Sequence, residues 1–310
     1  MPIKHAKVSA KADGGDTTLV QPSDWNAEHV VENYLDLPDI STPAAPPAAS
    51  LRLFTRSQAG RMLPAFIGPS GLDSNLQPAL FRNTIYMWLP GTGTTVAINF
   101  GTSWTARNSG TGAAQAHPAR ASTNALTSMN RATFSTGTTA TGTSGIQSTA
   151  TVAWRGNAAG LGGFFYFSRF GVETFRSDIQ VFNGLSARNT AMGGEPSLDN
   201  NTIGVCKDAA DVNWQVVTRS GTTTTKTDTG VAVAAGTILD LMMFAPPNGS
   251  TVTVRLVNAV TGAVIVDDLV ISTNLPANTT FLSAHAGIRS TTGTTAALLA
   301  LNRIYVENDL

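Results

Sequence analysis

The feature of this 310-residue chain that most limits its fold is a long series of short segments with alternating apolar and polar residues. In STVTVRLV, Val252, Val254 and Leu256 fall on one face of an extended chain, and polar residues stand between them. One buried face and one wet face are typical of an antiparallel sheet. Turn sequences such as PGTG, TGTSG and PPNGS separate the segments. Residues 81–310 therefore predict a mostly β protein, a large antiparallel jelly-roll-like β-sandwich, with helical character only in TTAALLALNRI.

The composition fits short strands and tight turns. Charged residues make up 13 %, about half the usual share, so hydroxyl and amide side chains must cover the surface. This is clearest in RSGTTTTKTDTG, where six of the ten residues from Ser220 to Thr229 are threonine. Because β-branched threonine suits a pleated, half-exposed surface, we interpret this segment as a hairpin tip or a strand edge.

Charge and hydropathy exclude several classes of partner. The formal net charge is zero, so the chain lacks the basic surface expected of a nucleic-acid-binding protein. No apolar run reaches the length of a membrane span, and MPIKHAKVSAKADGGD lacks the apolar core of a signal peptide. A single cysteine, Cys206, allows no intrachain disulfide and no cysteine metal cluster, and we expect it to be buried. We expect neither a nucleic-acid partner nor membrane insertion.

The first eighty residues differ in character from the rest. Residues 1–36 contain two short alternating runs and a helical pattern in PSDWNAEHVVENYL, and they predict a small ordered module. Four prolines in residues 36–50 predict a stiff, extended linker. We therefore divide the chain into a module at 1–36, a linker with a hairpin at 37–80, and the sandwich at 81–310.

The hairpin predicted between Leu51 and Ile67 is rich in apolar residues. So short a piece cannot bury a core alone, and it needs the following domain or copies of itself. We expect closed rotational symmetry, most simply a homotrimer, to cover these side chains. The candidate contact residues are Leu53, Phe54, Met62, Leu63 and Phe66.

Catalytic and metal-binding signatures do not occur. The motifs G-x-S-x-G, H-E-x-x-H and G-x-x-x-x-G-K-[ST] are missing, and the four histidines have no ligand spacing. Asp208 and Asp211 are predicted to shape a turn, whereas Asp267 and Asp268 are predicted to face opposite sides of a strand. We expect no catalytic residue, no metal and no cofactor.

The remaining candidates for ligand binding are aromatic. Trp104 in GTSWTARNSG and Trp154 in VAWRGN stand beside arginine, asparagine and glycine, a combination that suits saccharides. Trp104, Trp154 and Arg155 are therefore candidate ligand-binding residues. The alternative for each tryptophan is packing in the core or at a subunit interface.

Several stretches taken in order resemble a known family. NTIGVCKDAADVNWQ, APPNGS, LPANTTFL and the terminal YVEND look like the lectin-like jelly-roll domain of tailed-phage fibre and appendage proteins. The resemblance covers roughly residues 80–310, with GGFFYFSRF and VFNGLSA in the same region. QPSDWNAEHVV and RLFTRSQAGRMLPAFIGPSG are similar to the attachment regions of such virion proteins.

The resemblance implies a structural virion protein, located in the tail, with an N-terminal anchor at 1–36 and a concanavalin-like sandwich. Its expected partners are other tail or baseplate proteins, its own copies in a homotrimer, and host surface polysaccharide. The family supplies no catalytic residues, so we expect no enzymatic activity. Two alternatives stay open: a capsid-bound head fibre or decoration protein, and a polysaccharide depolymerase.

Overall fold

The computed structural model describes residues 12, 14–15, 36–44, 46–47, 50–67, 73–75, 83–91, 98–159 and 161–309. The chain divides into two compact units: Met1–Arg56 with Pro64–Leu76, and Ser57–Leu63 with Gln77–Leu310. The module predicted at 1–36 lies almost entirely outside the described residues. The boundaries after residues 36 and 80 stay predictions.

A three-stranded sheet contains the predicted hairpin, in the order β1 (Arg52–Gln58), β2 (Arg61–Ile67) and β3 (Asp73–Asn75). The preceding proline-rich segment is extended: its described residues form no helix or strand, and the Ile40 amide donates to the carbonyl of Thr55. The proline content explains this, because proline lacks the amide proton that regular pairing needs.

The candidate contact residues of the hairpin have different surroundings. Leu53 and Met62 are 54 % and 50 % exposed, and Phe66 is half-buried. Phe54, which packs against Ala65, is only 2 % exposed and Leu63 only 4 %, so the expectation that the hairpin leaves these two side chains for a second copy to cover is wrong.

The larger unit is an antiparallel β-sandwich, so the predicted fold class is confirmed. The first sheet has nine strands, in the order β17 (Val264–Ile271), β16 (Val252–Asn258), β15 (Ile238–Ala245), β10 (Phe164–Thr174), β19 (Leu298–Asp309), β4 (Asn83–Leu89) and β5 (Ile98–Phe100), with β8 (Ala132–Ser135) on β19 and β7 (Ala114–Ala116) on β8. The second has seven, in the order β14 (Thr223–Ala232), β13 (Asn213–Ser220), β12 (Thr202–Lys207), β11 (Ile179–Ser186), β18 (Ser283–Ser290), β9 (Thr143–Ser148) and β6 (Trp104–Ala106).

Alternating side chains of both sheets form one apolar core. The Trp214 ring of the seven-stranded sheet meets Phe170 of the nine-stranded sheet edge to face, with centroids 5.5 Å apart. A buried polar contact joins the sheets as well: Tyr166 donates to Asn183 Oδ1 at 2.5 Å, and Asn183 Nδ2 donates to Ser168. Since an unpaired buried amide is costly, this network favours one alignment of the two sheets.

The helical expectation for residues 294–304 is wrong, because β19 begins at Leu298. This strand pairs with β10 on one side and with β4 and β8 on the other, so its apolar run reflects a central strand with buried faces. In the described part of the chain the α-helix is a single short turn, α1 (Ala125–Ser128), capped by Asn124. A short 3-10 helix spans Pro196–Leu198.

The threonine-rich segment forms both predicted structures. Ser220 pairs with Thr223 across a tight turn, where Gly221 has a φ of +57°. After the turn, β14 is the edge strand of the seven-stranded sheet. Hydroxyl side chains thus keep an exposed edge polar with few charges.

Candidate functional site

An aromatic pair lies at one end of the sandwich, where two chain segments meet. Ala153 and Leu282 form an isolated antiparallel bridge, and the Leu282 amide donates to the carbonyl of Ala153 at 2.8 Å. This register puts Trp154 directly opposite Phe281. Their rings stack, with centroids 4.9 Å apart and planes inclined by 24°. Phe281 is 53 % exposed and Trp154 is half-buried, so the pair offers an aromatic face to solvent.

The adjacent Arg155 fixes three loops around this pair. Its Nη1 donates to the carbonyl of Gly249 at 2.6 Å, and its Nη2 donates to the carbonyl of Pro276 at 2.7 Å. Burial lowers the pKa of Arg155, although not enough to discharge a guanidinium at neutral pH. Arg155 thus positions the loops, with one hydrogen bond from each of its terminal nitrogens to a backbone carbonyl.

Three asparagines border the aromatic pair. The Gly156 amide donates to the carbonyl of Asn278 at 3.0 Å, and the Asn248 amide donates to the carbonyl of Arg155 at 2.8 Å. The side-chain amides of Asn157, Asn248 and Asn278 make no hydrogen bond with other described residues. Each amide offers two donors and an acceptor, which is the pattern that sugar hydroxyls require. We call Trp154, Phe281 and these three asparagines the aromatic platform.

Trp104 has different surroundings. It begins β6, is 9 % exposed and belongs to the main core cluster. This burial favours the packing alternative for Trp104. Trp154 and Arg155 stand together at the aromatic platform, and a ligand-binding role for them stays a prediction.

The pair Asp208 and Asp211 shapes a turn as predicted. Asp211 Oδ2 accepts from the Asp208 amide at 2.9 Å, and the Asp211 amide donates to the carbonyl of Asp208. Lys226, the only lysine of the threonine-rich segment, donates to both carboxylates. Local sequence patterns could not predict this contact, because it joins β14 to the turn before β13.

The expectation that Asp267 and Asp268 face opposite sides is wrong. Nη1 of Arg255 lies 2.6 Å from Asp267 Oδ1 and 3.1 Å from Asp268 Oδ1. The cause is a bulge: the register shifts between Val254 and Leu256, and Asp268 has a φ of +45°. One guanidinium therefore holds both carboxylates.

Among the described residues, no group of three or more histidine, cysteine or acidic side chains could hold a metal ion. Within the same residues no helix is long and apolar enough to cross a membrane. Cys206 is buried, as predicted.

Comparisons with known proteins concern the fold. Neither a family model nor a curated protein sequence matches this chain. A protein of unknown function from Shewanella oneidensis MR-1 is similar over 76 % of this chain and 90 % of its own, with 10 % identity and a TM-score of 0.52.

Two further solved structures are lectin and phage proteins. Peanut lectin is similar over 74 % of this chain and 98 % of its own, with 8 % identity and a TM-score of 0.47. The CBM2 module of an evolved Dit from Lactobacillus casei BL23 phage J-1 is similar over 74 % and 99 %, with 14 % identity and a TM-score of 0.44. At such identities the likeness is one of fold.

Phe281 is the aromatic residue of the platform that sequence reasoning missed, and Asn248 and Asn278 were not singled out either. Phe281 lies more than a hundred residues after Trp154, in a stretch without other aromatic residues. The available signal was the position of Phe281 next to the apolar Leu282, which is buried. Successive side chains of an extended chain point to opposite faces, so a buried Leu282 leaves Phe281 facing outward.

Proposed function

We propose that this chain is a structural subunit of a tailed-phage appendage, a tail fibre, which binds host-surface saccharides at the aromatic platform without cleaving them. The observation that carries the saccharide part is the stacked, solvent-facing pair of Trp154 and Phe281 bordered by free amides. Apolar sugar faces pack on such rings while amides bond the hydroxyls. The phage part rests on the sequence resemblance over residues 80–310.

The five residues of the aromatic platform are uncharged, which supports a neutral, hydroxyl-rich ligand. The adjacent Arg155 is charged, but both of its terminal nitrogens already bond backbone carbonyls. A single shallow site of this kind binds weakly, with a dissociation constant on the order of 1 mM. A homotrimer displayed in several copies per particle would raise the avidity by orders of magnitude.

The test uses the full-length chain and capsular or cell-wall polysaccharide from the host. Phe281→Ala removes half of the stacked pair from an exposed position, so we expect a stable protein whose binding is weakened about five- to tenfold. Phe100→Ala is the matched control, because Phe100 is similarly exposed, at 57 %, and ends β5 in the nine-stranded sheet. Calorimetry on the wild type and both variants measures the difference.

Equal loss of binding in both variants, or no loss in Phe281→Ala, would contradict the platform. Release of reducing ends during the titration would instead indicate an enzyme. Particles that lack residues 81–310 and still adsorb normally to cells would move the chain from host binding to assembly.

A further inference from the structure

The face of the seven-stranded sheet that points away from the core carries a set of polar side chains. His285 of β18 lies opposite Gln147 of β9 and Gly184 of β11. Arg289 follows four residues later on the same face and lies opposite Gln180. The register therefore gathers two glutamines, one arginine and one histidine on one surface.

Two arginines on this surface contact neutral partners. Arg107, just after β6, donates from Nε to Gln147 Oε1 at 2.9 Å, and Arg289 donates from Nη1 to Gln180 Oε1 at 2.6 Å. Neither forms a salt bridge with another described residue, and both are half-buried. Each guanidinium thus keeps donors available for an incoming acceptor.

A third arginine, Arg188, links this surface to a cavity. Its Nε donates to Asp199 Oδ2 at 2.6 Å, its Nη2 pairs with Asp199 Oδ1, and its Nη1 donates to the carbonyl of Ala191 at 2.7 Å. The carbonyl of Arg188 accepts from the side-chain amide of Gln147. Arg188 and Asp199 line an open cavity of about 270 Å³ together with Ala187, Asn189, Thr190 and Asn200. This volume is just under the range of about 300–1,000 Å³ for drug-sized ligands, so it suits a single sugar unit.

The charges of this cluster are close enough to affect one another. Burial lowers the pKa of Arg188, and the positive charge of Arg289 lowers it further. Burial also lowers the pKa of His285 to about 3, and Arg188 and Arg107 add to the effect. Among the described residues, Asp199 is the one carboxylate that forms a salt bridge with any of these three arginines, so this cluster carries surplus positive charge.

His285 is a polar group that its surroundings leave unpartnered. The side chain is 1 % exposed, and neither ring nitrogen has a hydrogen-bond partner among the described residues. Met192, from the same loop as Arg188, covers the adjacent Gly287. A buried imidazole without partners is costly unless a ligand or water supplies them.

We propose that Arg107 and Arg289, on the surface that Arg188 links to the cavity, form a second saccharide subsite, which takes the carboxylate of an acidic sugar. Guanidinium groups match a planar carboxylate with two parallel hydrogen bonds, and the cavity asparagines bond the sugar hydroxyls. This inference rests on the proposed saccharide-binding function and adds an acidic unit to the polysaccharide whose neutral units the aromatic platform takes.

The experiment compares trigalacturonic acid with its methyl ester, which has the same shape but no charge. For the full-length chain at low salt, we expect the acid to bind about tenfold more tightly than the ester. Arg107→Gln combined with Arg289→Gln should remove that preference, whereas the exposed Arg120→Gln should keep it. NMR of the His285 ring provides a direct measurement on the wild type, because its resonances should shift with the acid and not with inorganic phosphate at equal ionic strength.

The outcomes separate this subsite from the aromatic platform. Equal binding of acid and ester, with both weakened in Phe281→Ala, overturns the acidic subsite and leaves the platform intact. A preference for the acid that survives the double variant also overturns it, as does an equal shift with phosphate. If neither probe nor host polysaccharide binds, both proposals fail. Should the double variant not fold, Arg289→Lys keeps the charge and must still lose most of the preference, since lysine lacks the planar fork.

Discussion

The side chain of Lys207 provides the sharpest test of how the seven-stranded sheet is held together. Lys207 ends β12 and is 1 % exposed. Its ammonium donates to the carbonyls of Ser177 at 2.8 Å, Ile179 at 2.9 Å, Asp208 at 3.1 Å and Ala209 at 3.3 Å. It thus ties the turn that enters β11 to the turn that leaves β12.

Replacement by methionine keeps the length of the Lys207 side chain and removes its three donors. The two short charged hydrogen bonds contribute about 1.5–2 kcal/mol each, so the gross loss is about 3–4 kcal/mol. Burial lowers the pKa of Lys207, which shows that desolvation opposes the charged form and offsets part of this. We expect Lys207→Met to lower the free energy of unfolding by about 2–3 kcal/mol.

Urea denaturation followed by tryptophan fluorescence measures this change. An unchanged slope of the unfolding free energy against urea concentration shows that the wild type and the variant expose the same surface on unfolding. The matched control is Lys226→Met, since the Lys226 side chain is 28 % exposed and contacts carboxylates in partial contact with water. We expect a loss of about 1 kcal/mol or less there. If Lys207→Met lowers the free energy of unfolding no more than the control does, the hydrogen bonds from Lys207 to the four carbonyls do not contribute to stability and the reasoning is refuted.

Two further predictions concern pH and assembly. The pKa of His285 is about 3 in the folded protein and about 6.5 in the unfolded chain. The free energy of unfolding should therefore fall as the pH drops from 6.5 towards 3, by up to about 1.4 kcal/mol per pH unit. His285→Leu should flatten this pH dependence in urea titrations at several pH values. The double change Leu53→Ser and Met62→Ser should convert a trimer into monomers by light scattering, because both side chains are exposed on the hairpin; a monomeric wild type would contradict the expected assembly.

Alternation along the chain was enough to predict the sandwich. Val252, Val254 and Leu256 are all fully buried, as their spacing requires. The same local pattern led to a wrong prediction at residues 294–304. The apolar spacing of Leu298, Leu299 and Leu301 fits a helix when neighbouring strands are not taken into account. Those residues pack on both sides of a central strand, where apolar character no longer alternates.

Contacts between distant residues were beyond sequence reasoning. The stacking of Trp154 on Phe281 depends on the bridge at Ala153, and the shared arginine of Asp267 and Asp268 depends on a bulge. A bulge changes side-chain direction by one residue and leaves little trace in composition. Candidate residues could therefore be named individually, but not their partners.

The position of β19 has a consequence for how the protein is made. Phe164 of β10 pairs with Asn308, so the middle of the nine-stranded sheet stays empty until residues 298–309 have been synthesised. Until then β10 and β4 present open edges, and the growing chain has no complete core to fold around. We therefore expect the sandwich to stay unfolded during synthesis until most of it has been translated. Chaperone binding and misassembly with neighbouring chains should occur mainly at this late stage.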